Sequence, residues 1–523
     1  MPHSANCERA PAGPRRVMAW AVVLALGARP AVAAEPSSAR SLIALDEEFA
    51  ASVRDLARRA DNAGDAELAA LVRDWHFESP PGTLHVPTIP SRLERPACVD
   101  TEAEEGIWHD FLGARRSRAE GIYALAVESA RAHDRVASRE ERARPDAEAP
   151  PLPQRSCEAL RLVYLAVRDD PNHERARAAG GWVRRGEAWV WPGAARRIDR
   201  GEEFDPAYGW LPKAKLVRYR AGERSERNRW ITAAEDDART PDLKHGREFA
   251  SDHWEIVSAA PLADAAALAA RLEETRDCWI QAFGGFLASP RDLERRIAGR
   301  GRSPPQTPHS AILCRDRGQY LAELEPLEHR IGLTDGIYWQ PTKTSWFHVR
   351  RPAAEDLHAD RLDGVTVHHE ATHQLFAEAR SEMQRLGQHP GERCGFWAVE
   401  AAACHLETMR PAPHGWLVGG RDAGRVPAAR DQLLEDGFSL PLEKLTALGR
   451  TEFQGHDQVQ ALYSQVAGLA DFFMHGRRGR YREAFVEYLA RVYAGTADPD
   501  TLARLCRRPY ADLDDEYRRH LAD

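Results

Sequence analysis

Apolar residues recur at helical spacing through the first third of the chain. Leu42, Leu45, Phe49, Val53 and Leu56 form one series, and Leu68, Leu71 and Val72 form the next. Asp61-Asn62-Ala63-Gly64-Asp65 interrupts them, so residues 41–76 are predicted to be a helical hairpin. Residues 77–100 are Pro-rich and lack periodicity, which reads as a loop. The helical pattern returns over 102–132, gives way to a charged, Pro-rich linker at 139–153, and resumes from Cys157 to about Val167. Asp170-Pro171-Asn172-His173-Glu174 opens a further helix. These helices are joined as in helical-repeat packing, but with no fixed period.

Residues 181–235 change character. Trp182, Trp189, Trp191, Trp210 and Trp230 cluster there, and three units look alike: Gly186-Glu-Ala-Trp-Val, Tyr208-Gly-Trp-Leu-Pro and Asn228-Arg-Trp-Ile-Thr. Small turns or hairpins that pack their Trp rings on a neighbouring surface are expected, with carbohydrate binding as the alternative role. Beyond them, Asp252-His-Trp-Glu-Ile-Val-Ser reads as a strand and 262–286 as a long amphipathic helix. A strand at 311–314, a helix around 320–324 and a hairpin of Gly336-Ile-Tyr-Trp-Gln with Trp346-Phe-His-Val-Arg follow. After residue 395 helices are expected at 396–409, 428–434, 457–474 and 480–494.

With 43% hydrophobic and 29% charged residues among 523, the composition is that of an ordinary globular protein with room for several domains. The net charge of −8 gives a nucleic-acid partner no electrostatic support. Arg15-Arg16, the apolar run Val17 to Ala28 and the small-residue site Ala31-Val32-Ala33-Ala34 read as a signal peptide of residues 1–34. Its removal predicts export to the periplasm or beyond, with no integral membrane segment left; an uncleaved N-terminal anchor is the alternative. Cys7 leaves with it, and the remaining seven cysteines show no C-x-x-C spacing. Cys394 and Cys404 flank Glu400 and are read either as a clamp on its helix or as two unlinked thiols.

The candidate chemistry lies in Val365-Thr-Val-His-His-Glu-Ala-Thr-His-Gln-Leu-Phe-Ala-Glu378. On a helix, His369 and His373 share a face and can present two imidazoles to one metal ion, with Glu370 beside them as a base. His368 reads as a helix-start residue, and His389 and His414 as loop histidines. A catalytic zinc takes a third protein ligand. Gln374-Leu375-Phe376 does not continue toward a third His, whereas Glu400 sits in the Ala-rich segment Phe396-Trp-Ala-Val-Glu-Ala-Ala-Ala-Cys-His-Leu-Glu407, which can pack closely on the metal helix. His369, His373 and Glu400 are therefore the predicted metal ligands.

The chain resembles the gluzincin branch of the thermolysin-like metallopeptidases, and more closely a family of exported bacterial proteins with a zincin-like domain of unknown function. His369-Glu-Ala-Thr-His-Gln-Leu-Phe, Trp397-Ala-Val-Glu400 and Glu407 carry the resemblance, with Asp170-Pro-Asn-His-Glu-Arg-Ala-Arg, Gly209-Trp-Leu-Pro-Lys, Arg229-Trp-Ile-Thr and Asp252-His-Trp-Glu-Ile upstream. Tyr463-Ser-Gln and Gly479-Arg-Tyr-Arg-Glu-Ala-Phe fit downstream, so that most of 160–520 is covered. The resemblance implies an α+β fold: a helical N-terminal region over 35–180, the Trp-rich segment over 181–250, and a zincin-like zinc peptidase domain over 251–523. It departs from the thermolysin-like pattern twice. Twenty-six residues separate His373 from Glu400, with 381–395 available as the intervening loop, and Cys404 stands where a carboxylate orienting a zinc-bound His is expected. Glu407, one turn further on, is the replacement.

The implied function is a zinc-dependent metallopeptidase acting on a peptide or protein. Zinc-bound water attacks the carbonyl, Glu370 is general base, and an oxyanion partner is drawn from Tyr463, His405 and His456, with Tyr463 preferred. The strands around 337–349 offer an edge for an extended peptide, with internal pairing alone as the alternative. The rival classes are a non-catalytic zincin serving as a scaffold, its N-terminal helices binding a protein partner, and a zinc hydrolase of another bond such as an amide of a wall polymer.

Overall fold

Helix α1 (Leu42–Ala63) begins where the Ser41 hydroxyl accepts from Ala44 N–H, and it ends at Gly64, whose φ of 85° is open to glycine. Asp65 caps α2 (Ala66–Asp74), and the two form the expected hairpin. The computed structural model describes residues 41–131, 156–227, 229–287, 290–301, 307–350, 361–379 and 389–523. The predicted signal peptide, the linker at 139–153 and most of the intervening loop lie outside them. The described residues belong to one compact unit, Arg40–Asp523.

Strand β1 (Thr83–Pro87) follows. Helices α3 (Glu102–Arg131), α4 (Ser156–Asp169) and α5 (Glu174–Gly180) come next, with α3 packed along α1 and α4. The face of α1, α2 and the start of α3 makes a local core around Phe49, Val53, Leu68, Trp108 and Phe111. The Trp-rich segment resolves into three hairpins, each followed by a short helix. They are β2 (Val183–Arg185) and β3 (Ala188–Val190) before α6 (Pro192–Asp199); β4 (Glu202–Asp205) and β5 (Gly209–Pro212) before α7 (Lys213–Arg220); and β6 (Glu223–Glu226) and β7 (Arg229–Thr232) before α8 (Ala233–Asp237). Trp189, Trp210 and Trp230 stand in the second strand of each hairpin. The first two are buried, whereas Trp230 is 37% exposed beneath the Arg218 guanidinium. Packing thus accounts for most of these rings.

Strands β8 (Arg247–Ala250) and β9 (Trp254–Ser258) lead into α9 (Leu262–Phe283) and α10 (Pro290–Ile297). Strand β10 (His309–Cys314), helix α11 (Arg317–Leu324) and the hairpin β11 (Gly336–Trp339) and β12 (Thr344–His348) complete a five-stranded sheet in the order β11-β12-β10-β9-β8. Its three central strands run parallel, and β11 and β8 are antiparallel edges. Trp254, Ile256 and Ser258 alternate buried along β9, and α9 and α12 (Gly364–Glu378) lie side by side on the sheet, α9 against β8 and β9 and α12 against β11 and β12.

The rest is helical apart from one hairpin: α13 (Phe396–Leu406), β13 (Arg410–Ala412), β14 (Gly415–Gly419), α14 (Val426–Leu434), α15 (Leu442–Ala447), α16 (Arg450–Gln454), α17 (Val459–Gly479), α18 (Arg482–Tyr493), α19 (Thr501–Cys506) and α20 (Tyr510–Ala522). The loop expected over 77–100 is corrected here, because β1 pairs antiparallel with β14, Leu84 opposite Val418. That pairing joins segments more than three hundred residues apart, and the prolines around a five-residue strand hide it locally. The fold is mixed α/β, mostly helix with small sheets, and no described helix is long and apolar enough to cross a membrane.

Candidate metal centre

Helix α12 buries Val367, His368, Ala371, Thr372, Gln374, Leu375 and Phe376 against the core. His369, Glu370 and His373 project from the adjoining, half-buried stripe. Two polar side chains on the buried face set the helix in place. Gln374 accepts from Trp254 Nε1 at 3.1 Å and Ser345 Oγ at 2.9 Å, and donates to the Ser310 carbonyl at 3.0 Å, so it binds α12 to three strands at once. His368 turns toward α9, where Nδ1 lies 2.7 Å from the Thr275 hydroxyl. It is an interior residue of the helix, turned away from the His369–His373 stripe. Gly336 lets β11 close on the first turns of α12, since a Cβ there would stand 2.6 Å from Thr366 Cγ2.

Helix α13 is buried along its whole length. Gly395 caps it with φ 78°, and a side chain there would meet the Tyr488 hydroxyl at 2.6 Å. Trp397 packs among Phe473, Phe485 and Tyr488, and the Ala run lets α17 approach from the same side. The remaining face lies on α12 and carries Glu400. His369 Nε2 and His373 Nε2 are 3.1 Å apart, and Glu400 Oε2 lies 3.5 Å from the first and 3.8 Å from the second.

These three atoms fit a metal ion. Donors about 2.0–2.1 Å from an ion at tetrahedral angles stand about 3.3 Å from one another, and the observed separations straddle that value. Glu400 Oε2 is buried and makes no hydrogen bond of ordinary geometry, a state that costs free energy unless a cation completes it. Two imidazoles and a carboxylate are a donor set suited to a divalent ion.

The protonation pattern points the same way. Burial opposes charge on His369, yet the adjacent Cys404, Glu400 and Glu407 side chains push its pKa well above the ordinary histidine value. Burial lowers His373 to about 4. Burial also opposes ionisation of Glu400, but the close approach of His369 and the charge of the imidazoles hold its carboxyl below the usual carboxylate range. The imidazoles and carboxylates thus favour one another's charged forms across this point.

The other edge of the His369 ring bears on the departure at Cys404. Glu407, the residue that ends α13, takes the orienting position: His369 Nδ1 lies 2.7 Å from Glu407 Oε1. Arg425 Nε donates to Glu407 Oε2 at 3.1 Å and holds the carboxylate in turn. The Cys404 thiol lies close enough to join His369 and Glu407 in a second candidate group sharing the same imidazole. Burial pushes that thiol up to about 11, so it remains protonated beside the ring. An orienting carboxylate fixes the tautomer and the aim of a ligand imidazole.

Glu370 Oε2 accepts from the Tyr338 backbone N–H at 2.8 Å, which ties it to edge strand β11. Burial pushes its pKa up to about 7. The Tyr463 hydroxyl stands beside Glu400 and helps keep that carboxylate ionised, while burial raises its own pKa. Of the three oxyanion candidates, only Tyr463 is brought to the cluster. His405 faces His475 on α17, with ring centroids 5.1 Å apart, and His456 Nδ1 accepts from Gln458 N–H in the turn before α17. His389 precedes α13 in a loop, and His414 sits in the β13–β14 turn against Trp75. Cys394 and Cys404 are unlinked, and the described cysteines are all free thiols.

Sequence reasoning missed Arg425, Thr275 and the anchoring role of Gln374. Arg425 and Thr275 reach the centre only through tertiary packing. Gln374 did leave a signal, as an amide on the buried stripe beside Leu375 and Phe376. No protein-family model matches this chain, and a search of curated proteins returned no match.

Proposed function

We propose that the chain is an exported zinc-dependent hydrolase of the gluzincin type, acting on peptide bonds. The observation that carries this reading is the convergence of His369 Nε2, His373 Nε2 and Glu400 Oε2 on one point, with Glu370 on the adjoining turn. When bound there, zinc would supply Lewis acidity, polarising a carbonyl and bringing the pKa of water toward about 7. Glu370, fixed by the Tyr338 amide and poised near neutrality, takes the proton from the attacking water and returns one to the leaving amine. Tyr463 keeps its phenolic proton and can donate it in a hydrogen bond to the developing oxyanion. Among the described residues strand β11 pairs only with β12, so its other edge, where Glu370 accepts from the Tyr338 N–H, can be offered to an extended peptide.

The test is Glu370→Gln in the full chain. Zinc content by elemental analysis is expected to stay at the wild-type level, while cleavage across a peptide library falls by about 10²–10⁴-fold. Undiminished cleavage in the variant, or a wild-type protein that binds zinc and cleaves no peptide, overturns the peptidase reading. The second of these results leaves a binding scaffold or a hydrolase of another bond.

A further inference from the structure

We propose that Cys404, Glu407 and the Nδ1 edge of His369 form a second metal position of this centre, one that takes a borderline-soft divalent ion through a thiolate. The inference rests on the metal-binding reading above and extends it from one ion to two, with the His369 ring between them.

Glu400, Cys404 and Glu407 succeed one another along a single face of α13, at helical spacing. The His369 ring lies along that face. Glu400 Oε2 is 3.5 Å from its Nε2, and Glu407 Oε1 is 2.7 Å from its Nδ1. Cys404 comes at the turn between the two carboxylates. Its Sγ, a nitrogen of His369 and an oxygen of Glu407 lie within 4.8 Å of one another. The thiol groups with Glu407, and not with His373 and Glu400, which sets it apart from the donors of the first ion. Both Cys404 and Glu407 are buried.

A thiolate, an imidazole nitrogen and a carboxylate are a mixed donor set of the kind that zinc and cobalt(II) accept. The 2.7 Å between Nδ1 and Oε1 is the separation of two atoms sharing a proton, whereas donors sharing an ion stand about 3.3 Å apart. The second ion therefore takes the place of that proton. It also displaces the thiol proton, because a coordinating thiol is ionised outright. Both protons pass to solvent. Exchanging two protons for one divalent ion leaves the charge of the buried centre unchanged, so the desolvation cost of a further buried charge is avoided. Arg425 Nε donates to the other oxygen, Glu407 Oε2, at 3.1 Å, so Oε1 can turn to the ion without losing that bond. Ions on opposite nitrogens of one imidazole cannot approach to the about 3.5–4 Å of two-metal hydrolases, so the second ion is no partner in hydrolysis. It takes from His369 the contact that orients the ring, and thereby ties the hold on the first ion to the concentration of free metal.

The experiment titrates the metal-free full chain with cobalt(II). It reads bound metal by equilibrium dialysis, and thiolate ligation by the thiolate-to-cobalt charge-transfer absorption in the near ultraviolet. The wild type is expected to take up two ions in steps about tenfold or more apart in affinity, with the thiolate absorption rising only in the second. Cys404→Ser should keep the first step and lose both the second step and the absorption. Cys404→Ala serves as a second variant should Cys404→Ser fail to fold. The other thiols remain in both variants and control for binding elsewhere. Uptake of a single ion by the wild type overturns the proposal, as does a second step that lacks the thiolate absorption or survives in Cys404→Ser. Thiolate absorption already in the first step also overturns it, by placing Cys404 on the first ion. Because binding is read without turnover, a chain that holds two ions but cleaves nothing refutes the hydrolytic reading alone, and a peptidase that holds only one refutes this inference alone.

Discussion

Helix α13 faces two histidine pairs, and they behave differently. On one face Glu400 meets His369 and His373; on another His405 meets His475, with Asp471 and His520 nearby. Each group offers at least two imidazoles and a buried carboxylate. In the second, the carboxylate is already occupied: Asp471 accepts from Gly420 N–H at 3.1 Å and lies 2.8 Å from His520 Nε2. His405 Nε2 and His475 Nε2 are buried without hydrogen-bond partners, and their rings stack at a tilt instead of aiming lone pairs at a common point. His475 fits because Gly419 has no side chain, for a Cβ would stand 2.1 Å from its Nε2. The same residue types therefore make a cluster able to hold a metal ion in one place and a packed pair in the other. What separates them is whether a carboxylate lone pair remains free and whether the donors converge.

The largest expected effect is on metal content. His373→Ala and Glu400→Gln should each lose most of the zinc found in the wild type after gel filtration and elemental analysis, whereas His405→Leu should keep it. Zinc lost from a folded His405→Leu variant would erase the contrast between the pairs. Next in size is the orienting carboxylate. Glu407→Gln should weaken zinc about ten- to a hundredfold, read by competition with a chromophoric chelator, because His369 loses the partner that sets its tautomer. An affinity within about twofold of wild type would make Glu407 a bystander.

The smallest effect sharpens the second pair. Burial lowers His405 to about 4 and His475 well below its ordinary value, against about 6.5 in an unfolded chain. Asp471 opposes that shift, and Arg482 reinforces it. Between about pH 4 and 6.5 the unfolded chain binds protons that the folded chain does not, so stability present above about pH 6.5 is lost as pH falls, by up to about 1.4 kcal/mol per unit for each histidine. Urea midpoints between pH 5 and 7 should show that slope, and His405→Leu should flatten it. An unchanged slope in the variant would assign the acid sensitivity elsewhere.

Legibility in the sequence followed range. The spacing of His369 and His373 announces a shared helix face, and the Ala run around Glu400 announces a helix able to pack closely; both were readable within a dozen residues. The hairpins around Trp189, Trp210 and Trp230 were readable for the same reason. Strand β1 was not, although Leu84 and Val86 alternate, because its partner lies in β14. Arg425 carried no local sign at all. An arginine looks the same in sequence whether it meets a carboxylate or meets none.

By itself, then, the sequence determined which side chains could serve as donors and which short segments would hold them, because helix and hairpin periodicity is a local matter. Only the tertiary structure decided that Glu400 and not His405 turns toward the imidazoles, that Glu407 meets the His369 Nδ1, and that Gln374 pins α12 to the sheet. Those outcomes depend on the packing of α12, α13 and α17 against one another and on atoms brought within a few ångströms from distant parts of the chain. Coordination requires convergence at that scale, and no local pattern encodes it.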